Sequence, residues 1–141
     1  MNKNIVLLLL LHALASCEQR PNPERLIEKT TLSLPKGYKL SDFKSDWAVG
    51  ETTEEYTMQI STDDYQKIRK EIESKIFFQR LDTASSPILA FNNTTDIKKI
   101  NETACWYDGK YFYQIFKPDP GIVITVVLEK DSLMSISYYD L

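Results

Sequence analysis

The chain has little of what catalytic and metal sites are usually built from. One of its 141 residues is histidine, His12, and two are cysteine, Cys17 and Cys105. A Cys- or His-rich metal centre needs several such ligands at short spacing, so neither a metal nor another cofactor is expected. Ser-His-Asp or Cys-His catalysis would have to run through His12, which sits in an apolar N-terminal stretch. Glycine is scarce as well. Gly37, Gly50, Gly109 and Gly121 stand singly, which leaves no Gly-rich loop to cradle a phosphate. The 17 Lys and Arg are outnumbered by 20 Asp and Glu, for a net charge of −3, and they are not clustered. Nucleic acid is therefore not expected as a partner, because binding its backbone takes concentrated positive charge. No apolar run approaches the roughly 20 residues that a membrane-spanning helix needs.

What is present starts at the N-terminus. Lys3, the apolar run Ile5 to Leu11, and the small residues that follow have the layout of an export signal. The stretch closes on Leu14-Ala15-Ser16-Cys17, which resembles the lipobox of bacterial lipoproteins. The resemblance covers residues 1–17. It implies a signal peptide over 1–16 and a mature chain starting at Cys17. It also implies acyl chains on that cysteine, as a diacylglyceryl thioether often joined by an N-acyl group, and a lipid-anchored membrane protein of the bacterial cell envelope. Each buried CH₂ of such an anchor contributes about 0.8 kcal/mol, so two or three chains hold firmly where one would not. Glu18, not Asp, follows the cysteine, which in enteric-type sorting resembles an outer-membrane address. Ala13-Leu14-Ala15 also fits an ordinary A-x-A cleavage site. Cleavage there would release a soluble secreted or periplasmic protein with Cys17 free to pair with Cys105, as an oxidising compartment allows. The two alternatives differ on Cys105, which is half of a bridge in one. In the other it is a small buried hydrophobe between Ala104 and Trp106.

Cleavage before Cys17 removes the only histidine and also Lys3, leaving 125 residues with a net charge of −4. That length suits one domain. Residues 17–30, with Pro21 and Pro23 among polar neighbours, read as an extended tether, and residues 31–141 as the domain, with a soft boundary because Leu26 and Ile27 can begin to pack. Leu32, Leu34, Tyr38, Leu40 and Phe43 are irregularly spaced, with a turn at Pro35-Lys36-Gly37 and room for a first short strand. Tyr56, Met58 and Ile60 alternate as in a half-buried strand. Ser61 or Thr62 can then cap a helix over 62–76 whose apolar stripe is Tyr65, Ile68, Ile72 and Ile76, with Glu71 and Lys75 paired on its surface. Pro87 to Phe91 reads as a short strand and Asn92 to Thr95 as a loop. The glycosylation-like triplets at Asn92, Asn93 and Asn101 read as chance in a bacterial protein. Asp108-Gly109, Pro118-Asp119-Pro120-Gly121 and Lys130-Asp131-Ser132 divide the last forty residues into four strands of an antiparallel meander. Its third strand, from Ile122, is apolar enough on both faces to be central. The expected fold is α+β, a single domain with an antiparallel sheet of about five strands against one main amphipathic helix.

Aromatic residues crowd one hairpin. Tyr111, Tyr113 and Ile115 share one face, and Phe112, Gln114 and Phe116 share the other. One row should pack under the helix, and the other is a candidate binding surface, because Tyr and Trp offer large contact area at little entropic cost. The residues singled out for such a surface are Trp106, Tyr111 and Tyr113, with Tyr138 and Tyr139 on what is read as the neighbouring strand. Asp63 and Asp64 fit a helix start, and Asp108, Asp119 and Asp131 fit turns, so no pair of acids has a catalytic pattern around it. These features favour a non-catalytic binding or accessory module of the envelope with a protein partner. An inhibitor or immunity protein that neutralises a toxin or wall-degrading enzyme is the alternative, and a carboxylate-based hydrolase comes third.

Overall fold

The structure, a computed structural model, describes residues 21–48, 50–81 and 101–140. Cys17, the expected strand at Pro87 to Phe91 and the loop at Asn92 to Thr95 lie outside the described residues. The fold is a single α+β domain in which a mixed seven-stranded sheet packs against helices. The elements in chain order are α1 (Glu24–Ile27), β1 (Tyr38–Ala48), β2 (Glu51–Ile60), α2 (Thr62–Glu73), β3 (Phe78–Arg80), β4 (Asn101–Tyr107), β5 (Lys110–Lys117), β6 (Ile122–Glu129) and β7 (Leu133–Asp140). The strands lie in the order β1-β2-β7-β6-β5-β4-β3. All neighbours are antiparallel except β3 and β4.

The expected meander is present as β4 to β7, and the apolar strand β6 stands in the middle of the sheet. Its hairpin signal holds. Asp108 (φ 48°) and Gly109 (φ 78°) both occupy the left-handed region, as a two-residue turn matching strand twist requires. Among the described residues seven strands stand where about five were expected, and the sheet is mixed, not purely antiparallel. The additions have local causes. β3 is three residues long, too short to show a period. β1 is long, but its register shifts between Leu40 and Asp42. This bulge adds a residue, so Tyr38, Leu40 and Phe43 all meet the partners of one face despite their uneven spacing. The irregular apolar pattern of this stretch is therefore a strand with one bulge. Among the described residues β1 is an edge strand, and the bulge with Lys39, Asp42, Lys44 and Asp46 makes it a poor template for further pairing.

α2 starts as expected. The Ser61 hydroxyl accepts from the Asp64 amide at 3.1 Å and donates to the Asp64 carboxylate at 2.7 Å. That donated bond is the main reason the Asp64 carboxyl titrates below the ordinary Asp range. Ser61→Ala removes both bonds and should lower stability by about 1 kcal/mol, read from the urea midpoint at constant slope. An unchanged midpoint would mean that this cap contributes nothing.

The helix ends at Glu73, one turn before the expected 76, and Ile76 is 99% exposed. Phe77 and Phe78 pack on the core just beyond, which obliges the chain to leave the helix axis. Glu71 and Lys75 consequently do not pair. Glu71 accepts from the Ser33 amide at 2.7 Å and from the Ser33 hydroxyl, while Lys75 donates to the Thr31 hydroxyl.

The second helix was not expected. In α1 the amides of Leu26 and Ile27 return to the Pro23 carbonyl at 3.0 and 3.2 Å, and both side chains are fully buried in the core. Pro23 is buried with them and Leu32 follows. Residues 23–32 thus pack into the fold, so Leu26 and Ile27, around which a soft boundary is expected, fall on the domain side of it. Two adjacent apolar residues among charges carry no period, so only the cover they form over the sheet reveals their role.

Candidate functional site

The two faces of the sheet differ in kind. On the first, Tyr56, Met58 and Ile60 of β2, Tyr111, Tyr113 and Ile115 of β5, Ile124, Val126 and Leu128 of β6, and Met134 and Ile136 of β7 form one core with Leu26, Ile27, Ile68 and Ile72. Each large aliphatic side chain buried there contributes about 1.5–3 kcal/mol. The alternation on β5 is as expected, with Tyr111, Tyr113 and Ile115 on one face and Phe112, Gln114 and Phe116 on the other. The row turned to the helices, however, is the tyrosine row.

This placement corrects most of the candidate surface. Tyr113 is fully buried, Tyr111 is 6% exposed and Tyr138 is 7% exposed. Trp106 is half-buried against the same core. Only Tyr139, exposed on the opposite face, keeps the character of a surface residue. Nor is β7 next to β5, because β6 runs between them. The buried tyrosines lie under α1 and α2, whose Leu26, Ile27, Ile68 and Ile72 supply an apolar cover on that side.

Their hydroxyls explain how such a core tolerates polar atoms. Tyr113 donates to Glu102 at 2.9 Å and shares a 3.0 Å bond with Thr31, and Lys75 lies 5.4 Å from the centre of its ring. Burial pushes the Tyr113 phenol up to about 12, with Glu102 reinforcing the rise and Thr31 opposing it. Tyr111 donates to Glu73 at 3.0 Å, and Glu73 also accepts from Arg80 at 3.1 Å and Arg69 at 3.4 Å. Arg80 lies 5.6 Å from the Trp106 ring centre, closing that corner of the sheet. At the other corner Glu54, 5% exposed, is bound by Arg25 of α1 and by the Tyr56 hydroxyl. Burial alone would lower the Arg25 pKa, but the bond and charge of Glu54 raise it overall. Arg25 and Lys29 both stand over the Tyr138 ring, 5.9 and 5.2 Å from its centre.

These acids were not foreseen as structural residues. For Glu54 a signal existed, since it shares the strict alternation of Tyr56, Met58 and Ile60 and so points to the core side. Glu73 carried only its i,i+4 spacing to Arg69 and Glu102 none, because Tyr111, Arg80, Tyr113 and Thr31 come from other elements. Each of the three carboxylates is engaged with a cation or hydroxyl that ties an element to the sheet. Asp108 and Asp131 sit at left-handed turn positions, as expected. Among the described residues no group of three His, Cys, Asp or Glu side chains could hold a metal ion.

The second face carries three rows that cross the meander and β2. Phe112, Val127, Ser135 and Thr57 form one, Gln114, Thr125, Ser137 and Glu55 the next, and Phe116, Val123, Tyr139 and Thr53 the third. Gln114 donates to Thr125 at 3.0 Å and Tyr139 to Glu55 at 3.3 Å. Most of these residues are half-buried. Cys105 lies on this side, opposite Phe112, as a free and fully buried thiol that burial pushes up to about 11. A thiol so placed is inert at neutral pH. Chemically, this face offers apolar and aromatic area around a band of amide, hydroxyl and carboxylate groups. No family model, no curated protein and no solved structure matches this chain.

Proposed function

We propose that this protein is a lipid-anchored module of the bacterial cell envelope that binds another envelope protein without catalysis. The observation that carries the reading is Leu14-Ala15-Ser16-Cys17 behind a short apolar run. Two further features support it. The acids on the first face are engaged in holding the fold together. The second face combines aromatic area with a polar band and is the better candidate for contact. Its exposed member Tyr139 and the row Gln114, Thr125 and Ser137 are where a partner would meet the domain.

The anchor and the surface are tested separately. Cys17→Ser should move the protein from the membrane to the soluble fraction, and the intact mass should lose its acyl chains. An unlipidated wild-type mass corresponding to cleavage before Ser16 would overturn the anchor. A photo-reactive residue at Thr125 or Ser137 should cross-link to an envelope protein in cells, while one at Lys70 on α2 should not. Cross-linking at Lys70 alone would transfer the contact to the helical face. A captured toxin or wall-degrading enzyme would specify the module as an inhibitor or immunity protein.

A further inference from the structure

Trp47 is 77% exposed, far more than a large aromatic ring ordinarily is in a folded domain. Leu34 and Ile76 are also exposed, but such isolated aliphatic residues are ordinary features of protein surfaces. What sets Trp47 apart is its position relative to the start of the fold. The backbone of Asn22 lies beside the Tyr56 hydroxyl, and Pro23, the next residue, is buried in the fold. The Tyr56 ring packs on Phe43 of β1 with centroids 4.8 Å apart. Trp47 lies four residues further along β1, in unbroken register, and therefore on the same face. Four residues of strand span about 13 Å. The point where the chain enters the fold and the exposed indole thus share one face and one edge of the sheet.

We infer that Trp47 is a second membrane contact, seated in the headgroup region of the bilayer beside the lipid anchor. The inference rests on the lipid-anchored reading above. Asn22 adjoins the buried Pro23, and only five residue steps separate it from Cys17. A chain extends at most about 3.6 Å per residue, so Asn22 stays within roughly 18 Å of the acylated residue. A tether this short holds the β1–β2 edge at the membrane and makes contact by one indole an intramolecular event at high effective concentration. Tryptophan suits that location, with its apolar body in the acyl boundary and its N–H among the headgroups. The nearby charges are of both signs, with Lys44 and Asp46 on β1 and Glu51 on β2, and the mature chain is net acidic. A zwitterionic surface is therefore the expected substrate, not an anionic one. The two contacts together fix the orientation of the domain on the bilayer.

The test uses the two tryptophans of the chain, Trp47 and Trp106. The full lipidated protein carrying Trp106→Phe is inserted into phosphatidylcholine–phosphatidylethanolamine vesicles with or without brominated acyl chains. Trp47 emission should shift to the blue and lose about half its intensity with the brominated lipid, as an interfacial indole does. The Trp47→Phe protein should show Trp106 emission with neither change. If Trp106→Phe fails to fold, the difference between wild type and Trp47→Phe reads the same quantity. Intact mass and vesicle flotation separate the two levels of the argument. An unlipidated protein that does not float defeats the anchor. A lipidated, floating protein whose Trp47 emission is unshifted and unquenched leaves the anchor standing and overturns the inference. Cross-linking of a photo-reactive residue at position 47 to a protein, with no lipid adduct, overturns it as well.

Discussion

A chain that begins at Thr31 is expected to lose its cooperative fold, whereas one that begins at Pro21 keeps it. The difference is the segment 21–30, which uncovers the sheet when removed. Pro23, Leu26 and Ile27 are buried, and the last two are fully enclosed with the core of the first face. Truncating a single buried Leu or Ile to Ala costs about 2–5 kcal/mol. Losing both, with the proline and the backbone that holds them, should cost more than about 5 kcal/mol, which approaches the whole stability of a typical domain. Electrostatics add to this. Glu54, 5% exposed, would keep the Tyr56 hydroxyl but lose Arg25, leaving a buried carboxylate without its cation. Urea unfolding followed by circular dichroism, with amide dispersion in a proton–nitrogen NMR spectrum, distinguishes the outcomes. A sharp transition with an unchanged midpoint in the shorter chain would mean that α1 rests on the domain without stabilising it.

Tyr113→Ala is the single substitution with the largest expected effect, about 3–5 kcal/mol. The ring is fully buried at the centre of β5, and its loss leaves a cavity beneath the segment that carries Thr31. Tyr113→Phe separates packing from hydrogen bonding. It keeps the ring and removes the bonds to Glu102 and Thr31, for a cost of about 1 kcal/mol. Tyr139→Ala on the opposite face should cost less than about 1 kcal/mol, since its side chain is 37% exposed. The order of the three midpoints is a direct reading of which sheet face the core occupies. Equal losses for Tyr113→Ala and Tyr139→Ala would show that both faces are equally packed, and the division between core face and contact face would fall.

Much of the local architecture was legible before any tertiary contact was known. Alternation identified β2, β5 and the faces of β5, because a strand imposes a period of two wherever one side is buried. Asp108-Gly109 marked its hairpin because few other dipeptides accept two positive φ angles. Ser61 and Thr62 marked the start of α2, and Ser61 is the cap. The failures were equally physical. The bulge in β1 broke its period, β3 was too short to have one, and the helix end was set by Phe77 and Phe78 reaching for the core. Of the candidate surface only Tyr139 remains exposed. Trp47, which lies at the end of a strand hidden by its bulge, was not singled out.

By itself the sequence determined which residues share a strand face, where the tight turns fall and where the main helix starts. Those properties depend on neighbours a few positions away. Tertiary structure alone decided which face meets the helices, that the β1–β2 hairpin joins the meander through β7, that residues 23–32 are part of the core, and where Glu54, Glu73 and Glu102 find partners. Alternation is symmetric, so it says that Tyr111 and Tyr113 lie together without saying toward what. Only the distant segments that cover one side of the sheet break that symmetry. They do so through contacts that leave no period in the sequence.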